Sequence, residues 1–382
     1  DAERVSASML AVKLEGRAGP GSPALRWVQV EDGTPRVLDA RNRLTESLAG
    51  PNLVFRPGVL VDAGAYTFRL YAAHDAAALD ASDACTRCGF AEVTVRRNLA
   101  PSGGRLTVAP ARGFAQDTIF TLSADQWVDP PLPRDDYPLS YSFGYKRPDG
   151  SVMYLAVGAP SAQLHTLLPT GDRARACALP AESECHPLEL HVEVADALDA
   201  VGTLPAPVAV DVLAPEGNLL QSILAKRSQE LSSLLVNRDG PALLTQTASL
   251  GELLNDPLLP WALNGLDAAY KAGVRAALMQ FIRAATEELL APLSLATVAH
   301  VLSAASAVAE VPEEVDSPTA DAAMAVLQAA GAETLRRIAE GEDVARLPAI
   351  GAAYLRAMSP TLKAVANNAA RRRALGGADA DA

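Results

Sequence analysis

The stretch that indicates the fold most clearly is residues 139–157, Leu139-Ser-Tyr-Ser-Phe-Gly-Tyr-Lys-Arg-Pro-Asp-Gly-Ser-Val-Met-Tyr-Leu-Ala-Val157. Large apolar side chains alternate with small or polar ones before its Pro-Asp-Gly centre, and a run of apolar and aromatic residues follows it. Such alternation is typical of half-buried strands, and Pro followed by Asp-Gly supplies the chemistry of a turn. The segment therefore predicts a β-hairpin with strands over 139–145 and 152–157, joined at residues 147–150.

Short alternating runs continue on both sides of this hairpin. Between residues 98 and 214 they fall at 105–108, 118–122, 163–168 and 188–194, and predict a β-sandwich of the fibronectin-type-III kind. Residues 1–97 carry runs at 26–30, 52–56, 66–70 and 91–95, and predict a first sandwich that is immunoglobulin-like or PKD-like. In this first sandwich we expect a buried Trp27, a tyrosine corner at Tyr66, and Phe68 where immunoglobulin domains place their second cysteine.

The sequence changes character near Pro215, after which Ala and Leu dominate at helical spacing. Residues 215–382 therefore predict an all-α module. Its six helical segments are expected near 217–237, 241–254, 266–290, 295–309, 318–340 and 343–370. Ser294 and Ser317, the latter followed by Pro318, are predicted N-caps. The basic run at residues 371–373 is expected to be a solvated helix end.

An ordered series of residues between 98 and 171 carries a family resemblance. The series is Asn98-Leu-Ala-Pro-Ser-Gly103-Gly104, Val108-Ala-Pro110, Gly113, Thr118-Ile-Phe120, Trp127-Val-Asp129, Pro138-Leu-Ser-Tyr141-Ser-Phe143 and Leu168-Pro169-Thr-Gly171. It resembles the REJ (receptor for egg jelly) module of polycystin-1-like proteins and sperm egg-jelly receptors. The resemblance implies an inter-domain elbow at the Pro and Gly-Gly, and a sandwich core filled by Trp127, Tyr141 and Phe143. The helices after Pro215 look like subdomain A of a GAIN domain, which follows REJ in the polycystins.

The sequence departs from this family in two places. Members often carry a pair of cysteines where this chain has Leu106 and Ala124. Because both cysteines are absent together, we expect packing to replace a disulfide there. The His-Leu-Ser/Thr tripeptide of the autoproteolysis site is also missing, since His300 begins His-Val-Leu-Ser within a helical stripe. Self-cleavage is therefore not expected.

The four cysteines form two close pairs in sequence, Cys85 with Cys88 and Cys177 with Cys185. Proximity favours a local disulfide within each pair, and the resemblance implies a small loop closed by the second one. A zinc site, a redox Cys-x-x-Cys and free thiols remain alternatives. Disulfides indicate an oxidising compartment, although the chain contains no Asn-x-Ser/Thr sequon.

Charge and hydropathy narrow the function classes. The net charge of −12 argues against a nucleic-acid surface, which needs clustered Lys and Arg. No apolar run is long enough for a membrane helix, so membrane association is expected only through segments outside this chain. The chain begins without Met, which suggests a part of a larger protein.

Catalytic and metal-site motifs are absent from the sequence. Its five histidines, His74, His165, His186, His191 and His300, fall in separate strand, loop and helix patterns, and no nucleophile elbow, phosphate loop or His-Glu-x-x-His site appears. The chain is therefore expected not to be an enzyme and to need no cofactor. Acidic loops at Asp80, Asp83, Asp129, Asp135 and Asp136 could bind calcium if they converged, but solvated loop charge is the simpler interpretation.

The leading hypothesis is a non-catalytic adhesion or interaction ectodomain on the extracellular side of the plasma or ciliary membrane. The resemblance implies a polycystin-like surface assembly, ciliary or flagellar, in which the chain contacts a channel, extracellular matrix or gamete coat. A carbohydrate-binding module is one alternative, although Trp127 and Tyr141 are better explained as core. A subunit of an extracellular filament is another.

Overall fold

The chain folds as two β-regions followed by an all-α region, as seen in a computed structural model. This confirms the predicted fold class of two β-sandwiches followed by a helical module. The structure describes residues 3–5, 13–15, 24–36, 38–39, 41, 48–55, 60, 65–76, 79, 85, 88–130, 137–172, 185–198, 200–215, 219–256, 259, 261, 266–289, 293–339 and 347–378. No helix within these ranges is long and apolar enough to cross a membrane.

The first β-region has two layers. Its strands are β1 (Glu3–Val5), β2 (Lys13–Glu15), β3 (Ala24–Glu31), β4 (Thr34–Arg36), β5 (Asn52–Val54), β6 (Ala65–Ala73) and β7 (Gly89–Arg97). Five of them form a sheet in the order β1-β7-β6-β3-β4, and β2 pairs with β5. Trp27 and Phe68 from the large sheet pack against Leu53 and Phe55, with the two phenylalanine ring centroids 4.7 Å apart. The four strands predicted here are all present.

A second, smaller apolar cluster covers the other face of the large sheet. It consists of Val28, Tyr71, Ala73 and Leu79, with Cys85 and Cys88 packed against it. The two cysteines form a disulfide with a Cα–Cα distance of 5.6 Å. The disulfide-bonded pair therefore packs against this face of the sheet.

The second β-region is a sandwich of a three-stranded and a six-stranded sheet. Its strands are β8 (Arg105–Ala109), β9 (Arg112–Phe114), β10 (Ile119–Asp125), β11 (Ser140–Lys146), β12 (Val152–Ala159), β13 (Gln163–Leu167), β14 (Pro187–Ala195), β15 (Val201–Thr203) and β16 (Val208–Leu213). The sheet orders are β13-β10-β8 and β12-β11-β14-β16-β9, with β15 paired to β14. Phe120 and Leu122 from the first sheet meet Phe143, Leu155 and Val192 from the second in one core.

Two details of this sandwich agree with the sequence-based expectations. The hairpin β11–β12 forms around residues 147–150, where the Gly150 N–H donates to the Arg147 carbonyl over 2.9 Å. Gly150 has a φ of +81°, a conformation that glycine adopts without a steric penalty. Leu106 and Ala124 are buried and directly opposite each other on β8 and β10. Packing between adjacent strands thus stands where members of the family that this region resembles often carry cysteines.

The six predicted helices are present with shifted ends. They are α1 (Leu220–Val236), α2 (Gly240–Asn255), α3 (Ala268–Ala284), α4 (Leu295–Ala309), α5 (Ser317–Ala339) and α6 (Leu347–Ala378), and a π-helical turn follows α3 at Ala285–Leu289. Ser294 caps α4 as predicted, because its side chain accepts from the Thr297 N–H over 3.1 Å.

Two predictions about helix ends were wrong. The cap of α5 is Asp316 rather than Ser317, because the Asp316 carboxylate accepts from the Thr319 N–H over 2.9 Å. A carboxylate next to the first turn also suits the helix dipole. The run Arg371–Arg373 does not end α6, which continues to Ala378. Arg371 donates to the Glu313 carbonyl, so this run also contacts the segment ahead of α5.

The second sandwich and the helices share one hydrophobic core. A single cluster of buried side chains runs from Leu106 and Phe143 in the sandwich to Leu244 in α2 and Val301 in α4. The core of the first sandwich contains only residues before Asn98. The predicted boundary near residue 214 therefore marks a change of secondary structure within a continuous core. We propose 1–97, 98–214 and 215–382 as the domain limits, with the last two domains sharing that core.

The link between the two sandwiches is fixed to the second one. Asn98 is buried and donates to the Asp196 carboxylate over 2.6 Å. Gly202 lies so close to the Pro101 carbonyl that a Cβ added there would collide with the oxygen, and a Cβ on Gly104 would enter the Trp127 ring. The elbow implied by the family resemblance is thus a close contact between two backbone segments.

We predict that Gly202→Ala lowers the free energy of unfolding by about 1–3 kcal/mol, because the facing oxygen belongs to backbone that cannot rotate away. The control is Gly351→Ala in α6, where nothing lies within 4 Å of the added Cβ and helix propensity should add roughly 0.5–1 kcal/mol. Urea unfolding of both variants measures the difference. Equal stability of Gly202→Ala and the parent protein would contradict the close contact.

Candidate functional site at the joint between sandwich and helices

The tip of the β11–β12 hairpin is inserted among the helices. Arg147 at this tip is only 9% exposed. Its guanidinium forms an ion pair with Glu252 of α2, and a longer one of 3.5 Å with Glu310 at the end of α4. Asp149, two residues on, lies 3.6 Å from Arg356 of α6. One turn of the sandwich therefore makes charged contacts with three helices.

Burial shapes the electrostatics of this contact. Burial alone would lower the pKa of Arg147, but the charges of Glu252, Tyr145 and Glu310 together outweigh it, so the pKa is raised and the guanidinium stays charged. Burial raises the pKa of Glu252 in spite of the nearby Arg147. Burial also raises the pKa of Tyr145 well above its usual value, with Glu252 adding to the shift. The joint thus contains a desolvated ion pair, in which each charge depends on its partner.

A second polar contact of the joint is made by Gln116. Gln116 is buried and has a φ of +61°. Its side-chain amide donates to the Ser249 carbonyl of α2 over 3.2 Å. Its own carbonyl accepts from the Arg227 Nε of α1 over 3.1 Å. One turn before Ser249 on α2, the Thr245 hydroxyl donates to the Leu155 carbonyl of β12.

Arg275 of α3 ties the helices together behind the joint. Its side chain is fully buried. It pairs with Glu314 over 2.9 Å and donates to the Val308 carbonyl over 2.8 Å and to Asn255 Oδ1 over 2.9 Å. Asn255 and Val308 lie at the ends of α2 and α4, where backbone carbonyls lack partners within the helix. The two helices that carry Glu252 and Glu310 are therefore held in a fixed relation.

A polar cleft of about 500 Å³ opens beside the hairpin tip. Its wall combines basic and acidic side chains with serines and prolines: Arg147, Pro148, Asp149, Glu252, Ser306, Glu310, Pro312, Arg356, Ser359, Pro360 and Lys363. Cations and carboxylates are balanced there, and none of the described residues that line the cleft is a histidine or a cysteine. The cleft belongs to the joint, and its described lining pairs no nucleophile with a base.

The aromatic residues predicted as core lie in the two sandwiches. Trp27, Phe68, Trp127 and Phe143 are buried, whereas Tyr66 and Tyr141 are half-buried and pack against the cores. The hydrogen bond expected of a tyrosine corner at Tyr66 remains a prediction. These six residues build the scaffold and are not brought together in one site.

The remaining predicted site residues are spread over the chain. Cys185 is disulfide-bonded, and its expected partner Cys177 lies outside the described residues. Of the acidic positions considered for calcium, Asp129 is buried and the other four lie outside the described residues. The part of the chain that the structure describes contains no group of three or more His, Cys, Asp or Glu arranged to hold a metal ion.

One surface feature was missed in the sequence. Phe90 on β7 is 58% exposed, and the Arg69 guanidinium lies 4.4 Å from its ring centroid. Arg69 also donates to Glu92 over 2.7 Å and to the Tyr71 hydroxyl over 2.9 Å. The alternation of the strand did indicate this exposure. Phe90 lies on the same strand face as Glu92 and Thr94, and not on the inward face with Val95.

This architecture defines a modular β-sandwich protein with a helical module fastened to its second sandwich. The family model of the REJ domain matches residues 20–246, more than half of the chain. The chain belongs to the REJ domain family. The match extends beyond the 98–214 region that carried the resemblance. It begins before β3 and ends within α2, so it includes the first sandwich from β3 onward, the second sandwich and α1.

Comparison with other proteins adds little beyond this family. No curated protein matches the chain. Among solved structures, the N-terminal four Ig domains of Dscam1 isoform 4.44 are 14% identical over 56% of this chain and 43% of that one, with a TM-score of 0.21. A titin fragment is 14% identical over 55% and 62%, with a TM-score of 0.28. This chain spans less than two thirds of either structure, and likenesses this low carry no argument about function.

We predict that Arg147→Met destabilises the protein by about 3–5 kcal/mol, because it leaves Glu252 buried without its partner. The neighbouring Lys146→Met is the control. Lys146 pairs with Glu189 at a 40% exposed position, and its loss should cost less than about 1 kcal/mol. Denaturant unfolding compares the two. A similarly small loss of stability in both variants would contradict a desolvated ion pair. Partial recovery of stability in the double variant Arg147→Met/Glu252→Leu would support it.

His300 should make stability depend on pH. It is buried in α4, and burial lowers its pKa from 6.5 to about 4. Above pH 6.5 the imidazole is neutral in both states. As the pH falls toward 4, the unfolded chain takes up the proton first and stability is lost, by about 2 kcal/mol at pH 5. The free energy of unfolding, measured at pH 7.5 and at pH 5, gives this loss of stability. The loss should be about 2 kcal/mol smaller in His300→Leu than in the parent protein. An unchanged pH dependence in the variant would contradict the assignment.

Proposed function

We propose that the chain is a non-catalytic extracellular interaction ectodomain of a polycystin-like surface assembly at the plasma or ciliary membrane. Its partner is a channel, a matrix protein or a coat protein, and any membrane attachment lies in segments outside this chain. The observation that carries the proposal is the continuous core between the second sandwich and the helices. Membership of the REJ family supports it.

The shared core suits a module that presents surfaces in a fixed arrangement. The hairpin tip is held by ion pairs to α2, α4 and α6, and Arg275 fixes the ends of α2 and α4. A sandwich and helices joined in this way move as one body, so a partner bound to the helices is held in a fixed position relative to the sandwich. We therefore assign the joint a mechanical role within the assembly and propose no catalytic one.

A carbohydrate-binding role is the second candidate, because Phe90 is an exposed aromatic ring on a sheet face with polar groups beside it. Aromatic rings with hydrogen-bonding neighbours are suited to amphipathic ligands of this kind. The guanidinium of Arg69 already lies near that ring, and it is hydrogen-bonded to Glu92 and Tyr71. We therefore rank this role below protein binding.

The test is affinity capture of the tagged full-length parent protein from detergent-solubilised surface membranes, followed by crosslinking mass spectrometry. The chain contains only five lysines but 45 acidic residues, so a carboxyl-reactive crosslinker should be used beside a lysine-reactive one. We expect reproducible crosslinks from residues 98–382 to another protein, unchanged by Phe90→Ala.

Self-crosslinks alone, at a regular spacing, would contradict the proposal in favour of a filament. Glycan capture that disappears in Phe90→Ala, without protein crosslinks, would contradict it in favour of carbohydrate binding. A mock capture with the untagged protein controls for adhesion to the resin.

A further inference from the structure

Helix α6 has one buried face. Ile350, Ala353 and Ala357 pack against α4 and α5, and Thr361 and Ala364 continue the same face toward the start of α5. Their spacings of three and four residues define a single stripe. Asn368 extends it by donating to the Val315 carbonyl over 3.1 Å. From Ile350 to Asn368, the inner side of α6 is therefore covered by other parts of the protein.

The opposite side of α6 carries an exposed apolar stripe. Leu355 is 62% exposed, Leu362 47% and Val365 40%. Leu355 and Leu362 lie seven residues apart on one row, which Ala369 continues, and Val365 lies between that row and the buried face. A seven-residue recurrence is the spacing of a helix that lies along another helix. Helix α6 thus carries a second apolar stripe in addition to the one that is already buried.

The charge of α6 is unlike that of the chain as a whole. Residues 347–378 contain five basic residues and no acidic one, whereas the full chain has 45 acidic residues and a net charge of −12. The basic residues are Arg356, Lys363, Arg371, Arg372 and Arg373. Arg356 and Lys363 flank the apolar stripe on the side of the polar cleft. The outer side of α6 is therefore apolar along its centre, and its edge carries Lys363 and the Asp149-paired Arg356.

Three kinds of occupant would fit an apolar stripe, and charge separates them. A second copy of α6 would bring ten basic residues together without a compensating acid. A lipid surface suits a broad apolar face with Trp or Phe, but α6 has neither residue, and the acidic remainder of the chain would be repelled by anionic lipid. A helix with leucines at a and d positions and acidic residues beside them matches both the spacing and the charge.

We propose that the outer face of α6, centred on Leu355, Leu362 and Val365 and edged by Arg356 and Lys363, binds an acidic amphipathic helix of a partner protein. This inference rests on the proposed function, since it names the surface through which the ectodomain contacts its partner. The shared core places the bound helix at a fixed position beside the second sandwich.

The test uses the full chain and a synthetic helix of about four heptads, with Leu at a and d and Glu at e and g. Charge repulsion keeps this peptide from pairing with itself. A peptide with Lys in place of Glu is the matched control. Fluorescence anisotropy of the labelled peptides should show saturable binding of the Glu peptide, at least about tenfold tighter than that of the Lys peptide. The difference should shrink as salt is raised to about 0.5 M.

Two variants locate the binding. Leu362→Glu places an acid within the stripe, and Lys363→Glu reverses the charge at its edge. Each should weaken binding of the Glu peptide at least about tenfold. Val236→Glu introduces the same acid at an 81% exposed apolar position of α1 and should leave binding unchanged. Circular dichroism and thermal melting of all three variants check that they fold.

Equal binding of the two peptides, or undiminished binding in Leu362→Glu, would overturn the proposal. Dimers that are detected by sedimentation and that Leu362→Glu dissociates would also overturn the proposal, because the occupant would then be a second copy. Adhesion to phosphatidylserine-containing vesicles that Leu362→Glu removes, without peptide binding, would assign the face to lipid. None of these results would affect crosslinks of the parent protein to a partner elsewhere on residues 98–382, so failure of this surface is distinguishable from failure of the proposed function.

Discussion

The rest of the structure depends on the contact of α2 and α4 with strand β12. These helices cover the apolar side of the second sandwich, and the shared core leaves neither part with a complete hydrophobic interior of its own. Apolar packing is not directional. The relative orientation is therefore set by polar contacts that tolerate only one geometry, namely Arg147 with Glu252 and Gln116 with Ser249. The first sandwich has a separate core and joins this unit through the elbow at residues 98–104.

Local patterns were enough to predict most of the elements. The hairpin at residues 139–157 follows from its alternation and its Pro-Asp-Gly turn, and the helices follow from apolar spacing. Strands β9 and β15 were missed because they have only three residues each. β16 was missed although Val208, Val210 and Val212 alternate along it, and its place beside β14 depends on pairing with distant parts of the chain. The cap at Asp316 was missed because Ser317 and Pro318 offered an equally plausible signal one residue later.

The joint could not be predicted from the sequence. Arg147 looked like an ordinary turn residue, and Glu252 and Glu310 like polar positions of separate helices. Their contact joins residues 105 apart in the chain, and in a single sequence no pattern links them. The exposed row on α6 was hidden for another reason. A helix with one buried stripe and a second exposed one has apolar residues on most of its circumference, so periodicity alone cannot tell which stripe faces the core.

The shared core should make residues 98–378 unfold as one cooperative body. Native-state hydrogen exchange of the full chain, followed by mass spectrometry across a denaturant series, tests this directly. We expect the slowest-exchanging amides of β12, β14, α2 and α4 to share one opening free energy. The first sandwich should open independently of them. If α2 and α4 exchanged through a separate opening of much lower free energy while the strands stayed protected, the sandwich and the helices would be independent domains, and the central claim would be wrong.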